Sequence, residues 1–332
     1  MCRAPALALL VVLLALAACT MTPGEPLPTP TPAAAGDLAS PAPAVAALAA
    51  SPAPPSLAAT PAGPPASSPA TLGRDLNALL ARYTARGVAR AGVVITDRQT
   101  GVDLAIGPDD VFPAASLYKL IVLWAVQREI HAGRLADDTP LELTADNDDS
   151  ADDGYQLGPY GSTISVADAR RLMITQSNNT AAWTLVGAVG GWAALDTLPR
   201  ARGLAHTGLL PAPTTTAADV TRFFAGLMAG NLDPDLGPAD YDLMLALLRA
   251  QEINTFLPTG LPPGTPFAHK TGELDDVVHD AGVLLLPGGR TIYLTVLTEG
   301  DYDACAQLMH DLAQLTWQAL VASTKYEVRS TN

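Results

Sequence analysis

Lysine is almost absent from this 332-residue chain, which has Lys119, Lys270 and Lys325 against sixteen arginines. Arginine does not give up its proton, and its planar fork cannot replace a compact ammonium. A chain that takes arginine elsewhere therefore keeps lysine where arginine fails. Cysteine is as scarce: Cys2, Cys19 and Cys305 can build neither a disulfide framework nor a zinc spacing. Basic residues are outnumbered 33 to 19, for a formal charge of −14. That argues against a nucleic-acid partner, since phosphate binding needs a basic surface. A long apolar run is missing as well, because Leu7 to Leu16 is too short to span a bilayer comfortably. Hydrophobic residues still make up 48%, enough for a core.

What is present begins with an export pattern. Arg3, the apolar run and the small residues after it form a signal peptide. Its end, Leu16-Ala17-Ala18-Cys19, resembles the lipobox of bacterial lipoproteins. The resemblance implies cleavage after residue 19's predecessor, lipidation of Cys19, and a product anchored to the membrane on its periplasmic or wall-facing side. Residues 20–71 are Pro, Ala, Ser and Thr with only Glu25 and Asp37 charged. Such a segment has little to bury and its prolines break helices, so it is expected to be a disordered tether.

The folded domain is expected over 72–326. Leu72, Leu76, Leu79, Leu80 and Tyr83 recur at helical spacing, giving a helix to about Arg86. Ala91–Asp97 and Val102–Gly107 read as a hairpin around Arg98-Gln99-Thr100-Gly101. A long apolar helix runs to about Ala132. Further helices are expected at Ile164–Met173, Thr180–Val189, Ala217–Met228 and Tyr241–Ala250. Late strands follow at Pro266–Thr271, Val277–Leu286 and Thr291–Thr298, with a closing helix over Tyr302–Ala322. Strands at both ends and helices between them imply an α+β fold. One sheet is completed from both ends, with an α/β part at 72–113 and 264–326 and a helical part at 114–263.

Three short motifs carry chemistry. Ser116 and Lys119 stand three apart at a helix start and so share one face. There the serine meets the unpaired N–H groups of the helix end, and a lysine that loses its proton can act as its base. Ser177-Asn178-Asn179 lies between two helical segments, and His269-Lys270-Thr271-Gly272 lies on a strand expected to end in glycine. The ordered set S-x-x-K, S-x-N, K-T-G resembles the signature of penicillin-recognising serine enzymes, and most closely the class A β-lactamase-related hydrolases. Ser177-Asn178-Asn179-Thr180-Ala181-Ala182 resembles that family's S-D-N-T-A-A, and Thr214-Thr215-Thr216 the T-T-T after its omega loop.

The resemblance implies a five-stranded antiparallel sheet flanked by helices plus an all-helical subdomain. It also implies roles. Ser116 is the nucleophile, Lys119 its base, and Ser177 relays a proton to the leaving nitrogen. Asn179 binds the acyl amide, Lys270 and Thr271 hold the substrate carboxylate, and Gly272 lets a substrate strand approach. The N–H groups of Ser116 and Glu273 form the oxyanion hole. The implied substrate is a β-lactam or a peptidoglycan-peptide-like amide, with no cofactor, no metal and a monomeric enzyme.

Two departures stand out. Residues 188–213, where the family keeps a glutamate for the deacylating water, contain Asp196 as their only acid. Where the family often has an arginine after K-T-G, this chain reads Val278-His279-Asp280. Slow deacylation is the expectation. The alternatives are a penicillin-binding D,D-peptidase-like enzyme and a non-catalytic, tethered wall-binding or sensor domain. Asp146, Asp148, Asp149, Asp152 and Asp153 fit no calcium-loop register and read as a solvated acidic loop. His131 and His310 read as structural or surface residues, His269 as a strand histidine or one that tunes the site, and Cys305 as a small buried hydrophobe. If Cys19 carries the lipid, Cys19→Ala shifts the protein from the membrane to the soluble fraction. Equal partitioning of wild type and variant would refute the lipobox reading.

Overall fold

The computed structural model describes residues 68–149 and 157–322. The expected signal peptide, Cys19, nearly all of the tether, and Asp152 and Asp153 lie outside them. The first helix, α1, spans Leu72–Thr84 and buries Leu72, Leu76, Leu79 and Tyr83, the stripe expected from spacing. The hairpin follows as β1 (Val88–Asp97) and β2 (Val102–Ile106). A two-residue strand, β3 (Phe112–Pro113), leads to a 3₁₀ turn over Ala115–Tyr118 and then α2 (Lys119–His131). Every residue of α2 from Lys119 to Gln127 is buried, so this helix is the axis of the helical part.

Next come β4 (Pro140–Glu142), β5 (Thr163–Ser165), α3 (Val166–Thr175), α4 (Asn179–Ala188) and α5 (Gly191–Ala201). They are followed by β6 (Thr214–Thr215), α6 (Ala217–Ala229) and α7 (Pro238–Arg249). The chain returns to the sheet with β7 (Phe267–Leu274), β8 (Val277–Leu285) and β9 (Thr291–Gly300), and closes with α8 (Tyr302–Trp317).

The main sheet has the order β2-β1-β9-β8-β7 and is antiparallel throughout. Pairing of β1 with β9, Val93 opposite Val296, is where the two ends of the domain meet. Alternation along the strands sends Val93, Ile95, Ile292, Leu294 and Val296 to one face, against α1 and α8. Val94, Ala281, Val283, Tyr293 and Leu297 face the cluster built around α2. The α6 helix, placed by sequence in the helical part, rests on this second face, where Thr221 donates to Thr295 at 2.8 Å.

Several boundaries differ from the sequence reading, each for a local reason. The helix expected from Ile164 starts at Val166, because Thr163–Ser165 pairs with Pro140–Glu142 and Ser165 then caps the helix by accepting from the Asp168 N–H. The helix expected from Tyr241 starts at Pro238, a residue suited to a first turn. The α-helix expected to reach Ala322 ends at Trp317 and passes into a π-turn over 318–322. Most consequential, β7 does not stop at Gly272 but runs on to Leu274.

Register between β7 and β8 depends on Gly282. A Cβ there would stand 2.2 Å from the Ala268 carbonyl oxygen and 2.6 Å from His269 Cβ. Gly282→Ala should lower unfolding free energy in urea by on the order of 3 kcal/mol. Gly187→Ala, on the exposed side of α4 with open space around it, should raise it by a few tenths to about 1 kcal/mol. Equal effects would show that β7–β8 contact tolerates the methyl.

Candidate active site

Ser116 sits in the 3₁₀ turn that feeds α2, a turn closed by the Leu117 N–H donating to the Ala114 carbonyl at 2.9 Å. Among the described residues, the non-glycine positions with positive φ are Ala115 at 43° and Ser177 at 57°. They lie beside the predicted nucleophile and at the predicted relay. Strained backbone of this kind persists only where its surroundings hold it.

The helix geometry places Lys119 Nζ 3.0 Å from Ser116 Oγ. The same nitrogen donates to Ser177 Oγ at 3.1 Å, to Asn179 Oδ1 at 2.5 Å and, through a very short contact, to the Ser177 carbonyl. Lys270, arriving on β7, donates to the same Ser177 Oγ at 2.9 Å and to the Thr271 carbonyl at 3.0 Å. Two of the chain's three lysines therefore meet on one hydroxyl, and both are fully buried. Burial pulls the Lys270 amine down to about 7, against the opposing pull of Asp280 and Glu273.

The remaining predicted residues fall around this core. Asn178, where the family pattern has aspartate, caps α4 by accepting from the Ala181 N–H at 2.7 Å, a task an amide performs as well as a carboxylate. Asn179 starts that helix and faces Lys119. Gly272 brings β7 against the nucleophile turn. A Cβ there would lie 3.2 Å from the Ser116 nitrogen and 3.3 Å from the Ala114 oxygen, so a side chain would wedge apart the two elements carrying the predicted oxyanion donors. The Glu273 carboxylate accepts from the Tyr302 hydroxyl at 2.6 Å, and burial together with that carboxylate pushes the phenol up to about 12.

Ser116, Asn179, Glu273 and Leu274 open onto a cleft of about 350 Å³. Its other walls were not anticipated. Tyr118, Trp183 and Trp192 line it, with the Tyr118 and Trp192 rings 5.4 Å apart. Trp183 could have been found, since it stands one helical turn after Asn179. Asp149 also lines the cleft. Its N–H donates to Thr180 Oγ1 at 2.9 Å, while Asp148 accepts from Thr180 at 3.3 Å and from Tyr160 at 2.6 Å. This corrects the picture of a merely solvated acidic loop: Asp148 and Asp149 are tied to the helix that bears Asn179.

Asp196 does not line the cleft. It accepts from the N–H groups of Leu209 and Leu210 at 2.6 and 3.0 Å, which with Arg200 hold its carboxyl below the usual range. His269 is buried between Asp280 at 2.8 Å and Asn254 at 3.1 Å, behind Lys270. His131 pairs with Asp240, His310 with Thr259, and Cys305 is fully buried.

A helix-start serine with a buried lysine one turn on, a second lysine on an edge strand, and a serine bridging the two is the arrangement of a serine hydrolase of the penicillin-recognising type. The chain belongs to the beta-lactamase enzyme family, whose model matches residues 71–320. The β-lactamase of Streptomyces albus G is 28% identical over 255 residues, 70% of this chain and 80% of that protein. Among solved structures, PBP-A matches with a TM-score of 0.68 at 27% identity, over 79% of this chain and 99% of that one. An ancestral class A β-lactamase matches at 0.63 and 29%, over 72% and 98%. The α+β fold with its five-stranded antiparallel sheet is thus the one the motifs implied.

The sequence motif implies that Lys270 meets a substrate carboxylate, and burial draws its amine down to about 7. For a carboxylate-bearing substrate, kcat/KM should fall as pH rises through 7. The kcat limb should lie higher, because a bound anion restores the proton. Lys270→Arg, which cannot titrate, should lack the alkaline limb that belongs to this group. A wild-type kcat/KM profile flat from pH 6 to 9 would contradict the assignment.

Proposed function

We propose that this protein is an exported, lipid-anchored hydrolase that forms an acyl-enzyme on Ser116 from β-lactams or related cell-wall amides and releases the acyl group slowly. In this reading Lys119, as the free amine, takes the Ser116 proton while Oγ attacks the carbonyl carbon. The developing oxyanion meets the N–H groups of Ser116 and Glu273. Ser177 hands its proton to the departing nitrogen and regains one from a flanking lysine, since both amines lie within 3.1 Å of its oxygen. The contact among Ser116, Lys119, Ser177 and Lys270 carries the proposal.

Release is the harder half. Hydrolysing the ester requires a water deprotonated on its open face, and general-base help typically contributes about 10² to 10⁴ in rate. The only acid of residues 188–213 is Asp196, and its carboxylate is occupied by Leu209, Leu210 and Arg200. We assign Lys119, 3.0 Å from Ser116 Oγ, as base for both steps. That favours the second reading, a D,D-peptidase-like enzyme, as strongly as a poor β-lactamase. The likeness to PBP-A, a mutant of which is known as an acyl-enzyme complex with penicillin-G, supports acylation under either.

A chromogenic cephalosporin should give a burst of about one equivalent and then a slow steady state. Ser116→Ala and Lys119→Arg should both abolish the burst, the second because a guanidinium cannot serve as base. Full labelling of Ser116→Ala by a fluorescent penicillin would remove the nucleophile assignment. Steady turnover at about 10² to 10³ s⁻¹ would refute slow release.

A further inference from the structure

The residue that stands where the resembling enzymes often carry an arginine does something else here. His279 lies on β8 directly opposite Gly272 of β7, and its side chain does not reach the cleft. It is fully buried, edge-on to the Phe112 ring with centroids 5.9 Å apart. Its Nε2 is 2.8 Å from the Pro113 carbonyl oxygen, and its Nδ1 accepts from the Thr298 N–H at 3.2 Å. One ring nitrogen is therefore an acceptor and the other a donor, which is a single neutral tautomer.

Pro113 is three residues ahead of Ser116. The segment between them is held from the helical side as well, by pairing of Phe112–Pro113 with Thr214–Thr215 and by donation from the Ala114 N–H to the Pro213 carbonyl at 2.8 Å. Gly272 touches the same turn. His279 is the side chain that joins this turn to the sheet strand paired with β7.

We infer that His279 is a positioning residue for acylation. As a neutral imidazole it fixes the Pro113 carbonyl to β8, and so sets the Ser116 N–H against the Glu273 N–H across the oxyanion hole. The inference rests on the acylation reading, but the geometry it invokes exists in the free protein. Protonation would undo it, because a cationic ring must turn a second N–H toward the Thr298 N–H. Burial already holds the ring below the ordinary histidine range. The charged groups around it are few: Glu299 on β9, which favours the cation, and Arg90 on β1, which pairs with Glu299 and stacks on Phe112 with its guanidinium carbon 4.6 Å from the ring centre. Glu273 on β7 is bound to Tyr302, and Asp280 next along β8 faces His269.

The test compares wild type, His279→Gln and His279→Leu in two measurements. The first is the acylation rate constant with a chromogenic cephalosporin from pH 4.5 to 8. Glutamine keeps an N–H donor at similar reach but does not titrate. Its rate should be within about fivefold of wild type at pH 7, and the ratio of glutamine variant to wild type should climb as pH falls below 6. Leucine should cost on the order of tenfold to a hundredfold at every pH, in the rate constant rather than in substrate affinity. A ratio that stays constant with pH, or a leucine variant within twofold of wild type, would overturn the inference.

The second measurement is hydrogen exchange of the peptide covering residues 112–118 in the uninhibited proteins. Exchange should accelerate in the leucine variant and not in the glutamine variant, and an unchanged rate in leucine would overturn the inference. It needs no acylation, so a wild type that never reacts removes the proposed function while the exchange comparison still decides whether His279 holds the turn over residues 112–118.

Discussion

The hydroxyl of Ser177 is the point on which this active site balances. Two amine nitrogens from opposite parts of the fold, Lys119 from the central helix and Lys270 from the edge strand, converge on it at 3.1 and 2.9 Å. Burying either charge is unfavourable unless acceptors replace water, and the structure supplies them by distorting its own backbone. The positive φ of Ser177 turns its carbonyl onto Lys119, and Asn179 adds a second acceptor. The capping of α4 by Asn178 fixes the turn that makes this possible. An S-x-N motif thus supplies hydroxyl, carbonyl and amide to the same lysine, and its middle residue keeps them in place.

Much of this was legible in the linear chain because it is carried by short range. Three-residue spacing on a helix puts Ser116 beside Lys119 whatever the rest of the fold does. The sheet faces follow from alternation, and α1 from its apolar stripe. What escaped was carried by long range. Nothing local says that Trp192, thirteen residues past Asn179, returns to stack on Tyr118 and wall the cleft. Nothing in an aspartate-rich loop says that two of its members would tie to Thr180. The strand expected to end at Gly272 runs to Leu274 because its partner residues Val277 and Val278 continue the ladder. A glycine read as a stop is here a point of close approach.

The loop between α5 and β6 is tied to its neighbours at both ends. Asp196, on α5, accepts from the N–H groups of Leu209 and Leu210 and so bends the loop there. The loop's own carbonyl at Pro213 meets Ala114 at the base of the nucleophile turn. This loop therefore braces the turn that carries Ser116.

The scarcity of lysine has a practical side. The two lysines of the site are fully buried, and the remaining one, Lys325, follows the last described helical turn. Reagents that target primary amines, such as active-ester dyes, biotin tags or aldehyde resins, will find almost nothing to react with across the outer shell of the folded domain. The two lysines of the site stay out of reach of such reagents.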